Sequence, residues 1–155
     1  RWRDTSECDN ALNVLKVYKT EIESKIEALE LSQKILENCI NKYNKAQKIL
    51  KESNKNVMRM AKREIDAAMQ QLNKGYISNY SDSKISEIKS KIENDKSTIY
   101  NLSSKSNDVI DYIRKRIVVL CKAKTNNDEL KNKFNNALSD VKDRIDQINQ
   151  LLIED

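Results

Sequence analysis

A chain of 155 residues with no proline, one glycine and 34% charge lacks the breakers that strands and tight turns require, and reads as a single all-helical domain. Its 38% apolar content suits a thin bundle in which much of every helix faces water, and no stretch approaches the ~18 apolar residues of a membrane span. The net charge of +5 comes from Lys that alternates with acidic residues, a pattern of solubility, and the absence of histidine removes the commonest general base and metal ligand.

The first predicted helix runs over about 6–52. Cys8, Leu15, Ile22, Leu29, Leu36, Tyr43 and Leu50 recur every seven residues, the mark of a long helix packed along its length. Leu12, Ile26 and Ile40 flank this ladder at one offset, and Ala11, Tyr18, Cys39 and Ala46 at another. Val14, Ala28, Ile35 and Ile49 widen the stripe further. A stripe this wide suits a helix with two or three neighbours. At 1.5 Å per residue the helix is ~70 Å long.

Ser53–Asn56 is the weakest point after it, and a second helix follows over about 56–74, with Met58, Ala61, Ile65, Ala68, Met69 and Leu72 on one face. Gly75 is a natural stop, and the aperiodic Tyr76–Ser83 reads as a loop. The third helix is expected over about 83–124, its seam stepping from Ile85 through Ile92, Asp95, Ile99, Ser106 and Ile113 to Leu120. Thr125–Asp128 then offers a turn and a new cap, and the fourth helix, about 127–153, carries Leu130, Phe134, Leu138, Val141, Ile145, Ile148 and Leu152. The expectation is an elongated up-down-up-down four-helix bundle in one domain, 1–155. The alternative is a three-helix bundle in which the first two helices are continuous. In the four-helix layout, a third helix as long as the first requires the 75–83 loop to run extended back along the bundle.

Cys8, Cys39 and Cys121 form no metal pattern, so neither metal nor cofactor is expected. The layout puts Cys39 and Cys121 at similar heights, so any disulfide is expected between those two, with Cys8 unpaired. Phosphate-cradling loops need several glycines, and di-iron bundles need Glu-x-x-His. An enzyme is therefore not expected.

Polar residues fall on the seams at Gln33, Gln47, Asp95 and Ser106. They act either as register-setting or hydrated groups, or as the basis of a metastable core able to open and expose apolar faces. A buried unpaired carboxylate is costly, so Asp95 must be solvated, paired, or a source of strain. Two basic clusters, Arg1-Trp2-Arg3 and Arg114-Lys115-Arg116, are candidate membrane or partner contacts. The second also complements a helix dipole. With few aromatics beside them, nucleic acid is not an expected partner.

The Lys/Asn/Ile-rich helical style of segments such as Lys42–Lys48 and Asn135–Ser139 resembles the sporozoite microneme proteins of apicomplexan (malaria) parasites that are essential for cell traversal. No initiator Met or signal-peptide core stands at the start, so the chain reads as a mature or trimmed product. The resemblance implies a secreted, non-enzymatic bundle, released from micronemes, that acts in host-cell traversal or invasion through a host membrane or a partner protein. A rigid receptor-binding adhesin and an intracellular coiled-coil scaffold are the other readings.

Overall fold

The computed structural model describes residues 5–52, 57–73, 82–101 and 106–153, without the side chains of 82–85 and 106. They form four helices: α1 (Ser6–Leu50), α2 (Val57–Asn73), α3 (Asp82–Asn101) and α4 (Ser106–Ile153). The fold is an all-α, up-down-up-down four-helix bundle, and its helices pack in a ring of neighbours: α1 on α2, α2 on α3, α3 on α4, and α4 back on α1.

Named contacts fix each direction. Asn38 pairs with Gln71, and Lys42 and Lys45 with Glu64, so α2 runs against α1 and the continuous-helix alternative is excluded. Lys96 reaches Asp66 and Lys62 lies over the Tyr100 ring, so α3 runs against α2. Lys124 meets Glu37 and Lys131 meets Glu30, so α4 runs down the whole of α1.

α1 needs little local help, having no internal glycine or proline. Glu7 and Asp9 sit at its positive end and Lys48 in its last turn, matching the helix dipole. The helix closes as Lys51 N–H donates to the Lys48 carbonyl (3.2 Å) and Glu52 N–H to that of Ile49 (3.0 Å).

The break between the third and fourth helices differs from the expectation. It falls after Asn101, and the helix continues through Thr125–Asp128. There the Thr125 hydroxyl turns back to the Cys121 carbonyl (3.1 Å), so it does not cap a new helix. The physical reason for continuity is a second heptad ladder, Ile113, Leu120, Asn127, Phe134, Val141 and Ile148, which crosses the supposed turn in phase. The helix that matches α1 in length is therefore α4, with 48 residues against 45. An extended 75–83 loop is not needed for that match, and the loop lies almost wholly outside the described residues.

This arrangement divides the molecule along its length. α2 and α3, ~25 and ~30 Å long, cover only one half of the α1/α4 pair. In this head a single core joins Ile35, Leu36, Tyr43, Ile65, Leu72, Ile92, Ile99, Ile113 and Leu120. Beyond it, residues 5–28 and 128–153 form a two-helix stalk with a small core of its own, Ile22, Ile26 and Val141, flanked by Leu15, Phe134, Leu138 and Ile145. Between the two cores lies a polar layer. Asn127, buried, donates to the Leu29 carbonyl (2.9 Å) and to Gln33 Oε1 (3.0 Å), and Ser32 is fully buried on α1.

Candidate functional site

The heptad columns of α1 locate the site. Ser32, Cys39 and Ala46 form one fully buried column that runs from the polar layer into the head, where α1 packs against α2 and α4. Its continuation into the stalk is Lys25, Tyr18 and Ala11, and Tyr18 is exposed there. Ile35 and Ile49 form a second column, 6% and 9% exposed; its stalk member Val14 is 68% exposed. Val17 beside it is 60% exposed. Apolar residues recur along this face at both ends, broken by Lys42 in the head and by Glu21 and Lys25 in the stalk, and the short helices of the head do not extend over the stalk.

α4 repeats the pattern. Arg116 faces α3 in the head, and its column, which includes buried Val109, continues to Arg144 and Leu151. Leu151 is 52% exposed. Where the two columns run side by side in the stalk they leave an open groove lined by Asn10, Ala11, Val14, Leu15, Arg144, Gln147 and Ile148. Apolar walls with polar rims, on a face buried elsewhere in the same fold, make a surface suited to another helix.

The head is closed by comparison, and its polar groups are occupied. Asp95, buried, and Arg116, partly buried, pair across α3 and α4: Nη2 donates to Oδ1 at 2.9 Å and Nε to Oδ2. Of the options open to Asp95, pairing is realised, so the carboxylate does not act as a source of strain. Arg116 accordingly leaves the basic surface cluster; Arg114 and Lys115 stay exposed on the head. Tyr43 from α1 lies in the field of this pair. Its hydroxyl is buried with no hydrogen-bond partner, and its pKa is pushed up, mainly by burial and then by the charges of Asp95 and Cys39, against Arg116.

Among the other sequence candidates, Gln33 accepts from Asn127, and Gln47 is half-buried at the α1/α4 edge. Ser106 opens α4, and its side chain lies outside the described residues, as do Arg1, Trp2 and Arg3. The Cys39–Cys121 disulfide is not formed, and Cys8 is free as well. Similar height along the bundle is not enough: Cys39 points into the head core and Cys121 outward. Burial pushes the Cys39 thiol up to about 12.

Sequence reasoning missed Asn127, Val17, Arg144 and Leu151. Asn127 was legible as a member of the α4 ladder. Val17 and Leu151 had no signal beyond being apolar at the edge of a stripe. Among the described residues no cluster of three or more His, Cys, Asp or Glu could hold a metal, and no helix is long and apolar enough to cross a membrane. No protein-family model, curated protein or solved structure matches this chain.

Proposed function

We propose that this protein is a non-enzymatic interaction module in which the head is the stable platform and the stalk groove is the binding surface. The observation that carries this reading is the change of environment along single heptad columns, from Cys39 and Ile35, buried in the head, to Tyr18 and Val14 in the open. In the setting that the sequence resemblance implies, the module is secreted by an apicomplexan parasite and acts at the host-cell surface during traversal or invasion. Its ligand there is a helical partner protein.

Charge supports a directed encounter. Residues 29–127 carry 20 Lys or Arg against 11 Asp or Glu, while 5–28 and 128–153 together carry 7 against 10. A basic head and a weakly acidic stalk orient the molecule head-first over an acidic cell surface, an effect that salt screens over ~10 Å. Opening of the head to bare its core finds less support, because Asp95 is already paired.

The test is binding of labelled protein to host-cell membranes and to protein-free anionic liposomes, for the wild type and for Val14→Glu/Leu151→Glu. The reading expects the variant to keep its helicity and lose binding to cells. Cell binding unchanged in a folded variant contradicts it. Loss of binding to liposomes and cells alike would make lipid, instead of protein, the occupant of the groove.

A further inference from the structure

We infer that the stalk groove seats a second copy of this chain, two copies pairing stalk to stalk with their heads at opposite ends. This rests on the groove being a binding surface and names its occupant in the free protein, which a partner helix displaces on binding.

Continuity is the first support. In the head the α1/α4 face is completed by an antiparallel two-helix layer, α2 and α3. The stalk continues the same face without that layer, and a second stalk is itself an antiparallel two-helix layer that presents the same Ala11, Val14 and Ile148 between polar groups. Pairing extends the four-helix cross-section along the whole molecule.

Length and area agree. The stalk segments 5–28 and 128–153 are ~36–39 Å long, so one stalk just covers another. A face ~37 Å by ~18 Å gives ~650 Å² per copy and ~1,300 Å² in all, within the range of specific interfaces.

Sterics choose the orientation. α2 and α3 lie on the same face of α1 and α4 that the second stalk would occupy. Copies with heads at the same end would collide, whereas a two-fold axis crossing the middle of the stalk avoids the clash and gives an isologous interface. That axis, near the level of Val17 and Lys142, brings Arg144 on the groove wall of one copy beside Asp140 of the other, twice over. Charge complementarity of this kind fixes register more than affinity.

Sedimentation equilibrium with small-angle X-ray scattering tests the pairing. The expected result is a reversible monomer–dimer equilibrium, with a longest dimension of ~72 Å for the monomer and ~105 Å for the dimer. Val14→Glu/Leu151→Glu, both at exposed positions, should raise the dimer dissociation constant at least tenfold with helicity unchanged. Arg144→Asp should weaken pairing, and Arg144→Asp/Asp140→Arg should recover it. A monomer throughout, a dimer only ~72 Å long, or a dimer indifferent to the groove substitutions each overturn the proposal. A monomer whose groove variant still loses cell binding refutes the pairing and leaves the binding function standing. A groove-dependent dimer whose variant still binds cells does the reverse.

Discussion

Asp95 and Arg116 hold α3 and α4 together through a two-point ion pair inside the head, with both side chains almost out of water. Such a pair is often worth little over an apolar pair of the same shape, but breaking it leaves one charge buried alone. Asp95→Leu or Arg116→Met alone should each destabilise the protein by about 3–5 kcal/mol, and the double variant should lie within about 1–2 kcal/mol of the wild type. Urea unfolding of the four proteins of this cycle measures it.

Tyr43 beside that pair gives the complementary case. Its hydroxyl is buried without a partner. Removing it costs no hydrogen bond and relieves a desolvated group, so Tyr43→Phe should leave stability unchanged or raise it by about 1–2 kcal/mol. Tyr43→Ala should cost about 3–5 kcal/mol through the cavity it leaves. Thermal melts of both variants check the contrast.

The thiols should separate by reactivity. Cys121 is exposed, while Cys39 is buried with its pKa pushed up to about 12. A thiol reagent at neutral pH should modify Cys121 rapidly and Cys39 only on unfolding. The same shift sets a pH dependence. Above the ordinary thiol value of 9.0 the unfolded chain loses the Cys39 proton while the folded chain keeps it. Stability is therefore fully present below pH 9.0 and declines as pH rises toward about 12. Cys39→Ala should flatten that decline, as read from unfolding free energies across the alkaline range; Tyr43, shifted in the same direction, keeps part of it.

Much of this was legible in the sequence, for identifiable reasons. The ladder from Cys8 to Leu50 gave α1 because a seven-residue period has one interpretation in a chain without breakers. The position of the α3/α4 break was not, because Thr125–Asp128 carries the stronger local turn and cap chemistry, while Leu102–Lys105 sits in a seam that reads as continuous. The ladder from Ile113 to Ile148 crosses Thr125–Asp128 in phase and outweighs that local turn chemistry, and Asn127, one of its members, bonds to the α1 backbone from inside the helix. That misplaced break also hid the stalk. With helix ends at 124 and 127, every apolar column has neighbours along its length. With α4 continuous, the columns through Tyr18 and Val14 are left uncovered.

The polar layer should divide local stability. Asn127→Ala leaves Gln33 Oε1 without its donor and should cost about 1–3 kcal/mol. In native-state hydrogen exchange the stalk amides should open at lower free energy than the head amides, and the variant should widen that gap. Equal protection on both sides of Asn127 would show that the layer does not separate the two cores.

The central claim, that the uncovered groove is the working surface, is tested most directly by a hydrogen-exchange footprint. The protein would be compared free at low concentration and bound to host-cell membranes. Protection should appear at residues 10–18 of α1 and 144–151 of α4, with the head unchanged. Protection gained only around Arg114 and Lys115, or protection lost from the Ile65, Ile92 and Ile113 core, would contradict it.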